Sequence, residues 1–120
     1  MVLSSNGGVL AAARSALDEG VAGSLSSGLH HAKADRGDGF CTSNGLVVAA
    51  RTLLDEGVVR SVLVLDLDAH CGGGTARLGD RDPRIWHADV SVHVLAERER
   101  LVFDWCRRRR LPVAFVLAGG

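Results

Sequence analysis

The chain has 120 residues, which suits a single small domain with a modest core. Basic and acidic residues number 14 each, so no overall electric field would draw the chain to nucleic acid or to an anionic membrane surface. The three cysteines form an odd set without a CxxC pair, which argues against a disulfide framework and favours a reducing compartment. No basic and apolar leader opens the chain and no apolar run reaches about 18 residues, so the sequence predicts a cytoplasmic protein that does not cross a membrane.

Two segments in the first half have the apolar spacing of amphipathic helices. Residues 8–19 repeat their apolar side chains at helical intervals, and Gly20 follows as a typical helix C-terminus. The second segment, LVVAARTLLDEG, is preceded by Ser43 and Asn44, either of which can cap it. Residues 21–42, between the helices, are rich in glycine, serine, aspartate and histidine, and we expect a long functional loop there.

The second half of the chain alternates predicted strands with a helix. Residues 61–67 form an unbroken run of β-branched and leucine residues, which is typical of a buried strand in a parallel sheet. Residues 85–92 (IWHADVSV) alternate apolar and polar side chains and predict a second strand, and VAFVL near the end predicts a last one. A charged amphipathic helix is predicted over residues 95–109. This order predicts an α/β layer with a mainly parallel sheet, with Trp86 and Trp105 in its core.

The segment DLDAHCGGG, which begins at Asp66, follows the first of these strands directly. Asp68 and His70 are two positions apart, so strand geometry would put their side chains on one face, about 6–7 Å apart. A carboxylate oxygen and an imidazole nitrogen together suit zinc or a similar divalent metal. Taken alone, the same spacing is more often that of an aspartate that caps a turn beside a structural histidine. Cys71 could add a thiolate ligand, although a small packing residue is its more common role.

A second group of polar residues lies in the glycine-rich segment SSGLHHAKADRGDGFC. The adjacent histidines His30 and His31 can act as a general acid and base if their surroundings separate their pKa values. The alternative is a solvated pair of histidines in a surface loop. Gly39 and Phe40 end the segment, where a glycine beside an aromatic ring lets the backbone approach a bound substrate. Phe40 could equally be a core residue.

Together, residues 27–76 closely resemble the core of the histone deacetylase superfamily, in the bacterial branch related to acetylpolyamine and acetoin-utilisation deacetylases. The matching motifs are GLHHA, the GFC turn followed by an asparagine and a helix, and the DxDxH strand end, in the order of the family. The resemblance implies a reduced arginase-deacetylase type of α/β fold, three-layered with a mainly parallel sheet. Residues 1–120 would then be a single, partial deacetylase-like domain.

The function that the resemblance implies is zinc-dependent hydrolysis of the amide of an acetylated amine, of the acetyl-lysine or acetylpolyamine type. Asp68 and His70 match two of the three zinc ligands of the family. Zinc in such enzymes polarises the amide carbonyl as a Lewis acid.

The resemblance also assigns acid-base and channel residues. His30 and His31 match the pair that activates the attacking water and protonates the leaving amine, and Asp66 matches the carboxylate that orients the first histidine. Gly39 and Phe40 match the lining of the narrow channel for the acetylated amine.

Two functional residues of the family have no match in the sequence. The segment that carries the third zinc ligand is missing after SVH, and the transition-state tyrosine would follow the glycines at which the chain stops. Two ligands rarely hold catalytic zinc, so weak or absent zinc and an inactive protein are open alternatives. His87, Asp89 and His93 are local candidates for a substitute ligand, and a solvated strand face is the alternative for them.

The missing elements also suggest a different class of function, a non-catalytic module that acts by self-association or partner binding. Removing flanking elements should uncover apolar sheet surface, and such surfaces are normally buried in an interface. We therefore expect a homo-oligomer. The arginine run from Arg107 to Arg110 is typical of a solvated helix end that favours the helix dipole, and no nucleic-acid partner is expected.

Overall fold

The computed structural model of the protein describes residues 1–90 and 95–117, with side chains from residue 97 onward in the second range. His93 and the predicted strand end at residues 91–92 lie outside these ranges. None of the helices within the described ranges is long and apolar enough to span a membrane. In chain order the elements are α1 (Val2–Glu19), β1 (Val21–Ser27), α2 (Gly45–Asp55), β2 (Val62–Asp66), α3 (Gly73–Gly79), β3 (Ile85–Asp89), α4 (Leu95–Arg109) and β4 (Val113–Leu117).

The strands pair in parallel, which confirms the predicted α/β class and is consistent with a deacetylase-type fold. β1 pairs with β4, and β2 pairs with β3 from Val62 opposite Ile85 to Asp66 opposite Asp89. The described strands thus form two two-stranded sheets. Because β2 and β3 are parallel, their carboxyl ends bring Asp66 and Asp89 to the same edge.

Strand β1 lies inside the segment that the sequence predicts as a loop, so that prediction is wrong for residues 21–27. The strand is built from small residues because its neighbours approach closely. A Cβ atom added to Gly23 would overlap the ring of Phe115 on β4. On the other side, Ser26 donates from its hydroxyl to the carbonyl oxygen of Ser5 on α1, at 3.2 Å. Glycine and serine have low β-propensity, so this strand has no signal in the sequence.

The core lies between α2 and one face of the β2–β3 sheet. As predicted, Asn44 caps α2 by accepting a hydrogen bond from the N–H of Val47, at 3.1 Å. The buried core residues are Val47, Ala50, Leu54 and Ile85, with Val59, Val62, Val64 and Leu78 packed against them. Strand β2 therefore packs on α2, a helix whose N-terminus is fixed by the Asn44 cap.

The other face of the β2–β3 sheet is exposed in the part of the chain that is described. Leu63 and Trp86 are register partners on this face, and they are 56% and 65% exposed. Side chains alternate across a strand, so the packing of Val62, Val64 and Ile85 on α2 puts these two on the opposite side. The prediction that Trp86 is a core residue is wrong for this reason.

Helix α4 has the predicted bounds. Trp105 is 44% exposed, so its assignment to the core is also wrong. The ring of Phe103 instead meets that of Phe115 edge-on, with centroids 5.8 Å apart. Arg98 donates from its guanidinium to the carbonyl oxygens of Leu67 and Val90, at 2.7 and 3.0 Å. Arginines in the last turn of the helix are exposed, as expected for a solvated helix end.

Candidate active site

A buried histidine–aspartate pair is at the centre of the site. His30, just after β1, contacts Asp66 at the end of β2, with 2.7 Å between Nδ1 and Oδ2. Both residues are 5% exposed. The second carboxylate oxygen of Asp66 accepts a hydrogen bond from the backbone N–H of Asp68, at 2.9 Å. The ends of two strands from different sheets are therefore joined through one carboxylate.

The backbone of His30 is fixed by two further elements. Its carbonyl oxygen accepts hydrogen bonds from the N–H of Thr75 on α3, at 3.0 Å, and from the side-chain amide of Asn44, at 3.2 Å. The same amide donates to the hydroxyl of Thr75, which is completely buried, at 3.0 Å. Sequence analysis identified Asn44 only as a helix cap and missed Thr75, because hydrogen bonds to a distant carbonyl leave no local signal.

Two glycines allow the histidine segment to pack closely. A Cβ atom added to Gly74 on α3 would overlap the carbonyl oxygens of Ala32 and His31. A Cβ atom on Gly39 would lie 2.9 Å from Cδ2 of His31, and its φ of 51° is itself in the left-handed region. Phe40 is fully exposed, which rules out the core alternative for this residue. Its proposed place in a substrate channel remains a prediction.

Asp68 and His70 follow the end of β2 and are hydrogen-bonded to each other. Strand β2 ends at Asp66, and the chain turns, so the extended geometry behind the expected 6–7 Å does not apply. Oδ1 of Asp68 accepts hydrogen bonds from the backbone N–H and from Nδ1 of His70, at 2.8 and 2.9 Å. Burial alone would raise the pKa of Asp68, but the hydrogen bonds from His70 and the nearby His30 ring hold the pKa below its usual range. The carboxylate is thus kept ionised.

The rings of His30, His31 and His70 lie next to one another. His30 and His31 have ring centroids 4.1 Å apart, and those of His31 and His70 are 6.4 Å apart. Nε2 of His30 lies 3.9 Å from Oδ1 of Asp68. The group is open to solvent at His70, whose side chain is 72% exposed.

The Asp68–His70 pair offers two donor atoms of the types that zinc binds. An oxygen and a nitrogen 2.9 Å apart can bind one zinc ion, because zinc–ligand bonds are about 2.0–2.2 Å long. Within the described ranges, no third aspartate, glutamate, histidine or cysteine completes a donor set with these two. His87 and Asp89, two of the candidate substitutes, group with Asp66 instead. Cys71 is exposed, so it is not the packing residue that was expected.

Comparison with known proteins identifies the family. The sequence model of the histone deacetylase domain matches residues 1–95. The chain belongs to the histone deacetylase family. The motifs that carried the resemblance, from GLHHA to DxDxH, lie within the matched region.

Three relatives illustrate the range of proteins that the chain matches. An uncharacterized protein of Picosynechococcus is 36% identical over 103 residues, which are 82% of this chain and 34% of that protein. A probable deacetylase of Methanothermobacter thermautotrophicus is 38% identical over 90 residues, covering 74% of this chain and 27% of the relative. Histone deacetylase 2 of Arabidopsis thaliana is 35% identical over 85 residues, or 70% of this chain and 22% of that protein. The chain thus spans about a third or less of the length of these curated relatives.

Proposed function

We propose that this chain carries the acid-base half and two zinc ligands of a deacetylase site that hydrolyses an acetylated amine of the acetyl-lysine or acetylpolyamine type. The observation that supports the proposal is the buried His30–Asp66 contact of 2.7 Å, with Nε2 of His30 only 3.9 Å from Asp68. A cytoplasmic location is part of the proposal. Free thiols at Cys41, Cys71 and Cys106 are consistent with such a reducing compartment.

The chemistry follows from the orientation of the His30 ring. The carboxylate of Asp66 accepts a hydrogen bond from Nδ1–H of His30, and this tautomer leaves Nε2 free to take a proton from an attacking water. The pair is buried, and low local polarity strengthens the hydrogen bond that holds this orientation. The ring of His31, tilted by 47° to that of His30 with centroids 4.1 Å apart, would protonate the leaving amine. Zinc on Asp68 and His70 would polarise the acetyl carbonyl.

The proposed activity of the chain alone is low. The described residues supply two zinc ligands, whereas catalytic zinc sites usually have three protein ligands and a water. A third ligand would have to come from residues outside the described ranges or from another copy of the chain. The family's transition-state tyrosine has no counterpart either, since the sequence contains no tyrosine.

Hydrolysis assays at high enzyme concentration test the proposal. We expect slow, zinc-dependent release of acetate from acetyl-lysine peptides or acetylpolyamines, and loss of this activity in His31→Ala. The exposed Asp35→Ala, in the same loop, is the matched control and should retain it. Hydrolysis by the wild-type chain no faster than by His31→Ala, across both substrate types, would contradict the proposal.

A second candidate function is a non-catalytic module that works by self-association. It is favoured by the exposed apolar face of the β2–β3 sheet around Leu63 and Trp86. In this case the chain should form a dimer or larger homo-oligomer, and Trp86→Ser should weaken it. Sedimentation equilibrium measures the oligomeric state of the wild-type chain and of the variant. A wild-type monomer at millimolar concentration would exclude this function.

A further inference from the structure

A second group of potential metal ligands shares Asp66 with the His30–Asp66 pair. Asp66 at the end of β2 and both His87 and Asp89 on β3 each offer one donor atom, and the three atoms lie within 4.8 Å of one another. His87 and Asp89 are two positions apart on one strand, so their side chains leave the same face. Parallel pairing places Asp89 directly opposite Asp66.

The side chain of His87 points to a ligand in this group. It is 9% exposed, and its Nε2 atom is buried with no hydrogen-bond partner among the described residues. Its nearest acidic atom, Oδ1 of Asp89, is 3.6 Å away, beyond hydrogen-bond distance. A buried nitrogen without a hydrogen-bond partner costs folding free energy, so such atoms are rare in folded proteins. A bound cation would remove that cost.

Gly72 keeps the space between the ligand atoms open. A Cβ atom added there would overlap Oδ2 of Asp66 and lie 3.1 Å from Nε2 of His87. The backbone N–H of Gly72 also donates to Oδ1 of Asp89, at 2.9 Å, and so orients that carboxylate. Hydrogen bonds of this kind to a ligand are typical of metal sites.

The chemistry of the three side chains selects the class of metal. Two carboxylates and an imidazole suit zinc or a neighbouring first-row divalent ion, whereas magnesium and calcium prefer oxygen ligands alone. Tetrahedral zinc with bonds of about 2.1 Å would hold its ligands roughly 3.4 Å apart, so donor atoms that lie within 4.8 Å of one another need to approach by up to about 1.4 Å. A carboxylate has about four lone-pair sites, so Asp66 can bind a metal and still accept the hydrogen bond from His30.

We propose that Asp66, His87 and Asp89 form a second site for zinc or a similar divalent transition metal, separate from the Asp68–His70 pair. The metal joins the ends of β2 and β3 and fixes the carboxylate of Asp66, which contacts His30. Its role is structural and positional. The proposal does not depend on deacetylase activity.

Zinc binding to variants of the whole chain tests the second site. Metal-free wild-type protein, Asp68→Asn, His87→Gln and Asp89→Asn are dialysed against zinc chloride, and zinc per chain is measured by elemental analysis. Circular dichroism verifies that each variant is folded. We expect Asp68→Asn to retain one zinc per chain, and His87→Gln and Asp89→Asn to bind that ion at least about 10-fold more weakly.

Histidine NMR on the wild-type chain keeps the test valid if a variant fails to fold. Zinc should shift the Nε2 signal of His87, and a 10-fold excess of magnesium should not reverse the shift. The proposal is overturned if Asp68→Asn abolishes all zinc binding, if Asp89→Asn binds zinc as tightly as wild type, or if the His87 signal does not respond to zinc.

Discussion

Two histidine–aspartate pairs lie at the end of β2, and they differ in burial and in what holds them. The His30–Asp66 pair is buried, and the hydrogen bonds from Asn44 and Thr75 fix the backbone of its histidine. In the Asp68–His70 pair the histidine is 72% exposed, and among the described residues its hydrogen bonds run from its backbone N–H and Nδ1 to the neighbouring carboxylate. The first pair is thus part of the folded core, whereas the histidine of the second lies open to solvent.

The largest effect is expected from breaking the buried pair. Asp66→Ala leaves His30 buried without its partner, and removing one member of a buried pair costs about 3 kcal/mol of folding free energy. Asp68→Ala removes hydrogen bonds to an exposed histidine and should cost about 1 kcal/mol or less without metal. Urea unfolding in EDTA measures both values. Equal losses in the two variants would contradict the contrast between the pairs.

A smaller effect is expected from the packing of α3 on the histidine segment. Gly74→Ala should cost about 1–3 kcal/mol, because its Cβ atom would overlap the backbone of Ala32 and His31. The adjacent Gly73→Ala is the matched control. Nothing lies within 4 Å of its added Cβ atom, so it should be neutral or slightly stabilising. Thermal unfolding measures the midpoint of each variant. The same midpoint shift in Gly74→Ala and Gly73→Ala would show that close packing at Gly74 does not fix the histidine segment.

Asn44→Asp separates two roles of one residue. Aspartate caps a helix as well as asparagine does, but it cannot donate to the carbonyl of His30 or to the hydroxyl of Thr75. We expect a loss of about 1–2 kcal/mol in chemical denaturation at neutral pH. An unchanged stability would show that Asn44 acts only as the cap of α2 and that His30 is fixed in other ways.

The smallest effect concerns an exposed ion pair away from the site. Hydrogen bonds from Arg84 lower the pKa of Asp82 from 3.8 to about 2. A lowered pKa stabilises the folded state above the unfolded pKa, and this stabilisation is lost as pH falls through about 2. The difference in stability between wild type and Asp82→Asn should therefore shrink between pH 4 and pH 2, roughly the window set by the two pKa values. Urea unfolding at several pH values would show a constant difference if the pair had no role.

The sequence predicted regular elements well wherever apolar periodicity was strong. The range of α4, residues 95–109, and the cap of α2 at Asn44 agree with the structure. Strand β1 was missed because its glycine and serines are selected by close contacts with α1 and Phe115. Trp86 was misplaced because alternation shows which residues share a face but not which face a helix covers.

The candidate site was predictable as a set of residues but not as an arrangement. The HH and DxDxH motifs identified His30, Asp66, Asp68 and His70, but only the resemblance paired His30 with Asp66. The hydrogen bonds between Asp68 and His70 were not foreseen, since the turn after β2 is not visible in residue types. The grouping of His87 with Asp66 depends on strand register, which is a tertiary property.

The most direct test of the account is the histidine ring spectrum of ¹⁵N-labelled Asp89→Asn, recorded without metal and then with zinc. This variant weakens the proposed second site, so the response reports the Asp68–His70 pair. The account predicts a slowly exchanging Nδ1–H on His30 in the metal-free protein, and a zinc-dependent shift of Nδ1 of His70. Fast exchange at His30, or a His70 signal that does not respond to zinc, would contradict the proposal that a buried acid-base pair and a zinc-binding pair make up the site.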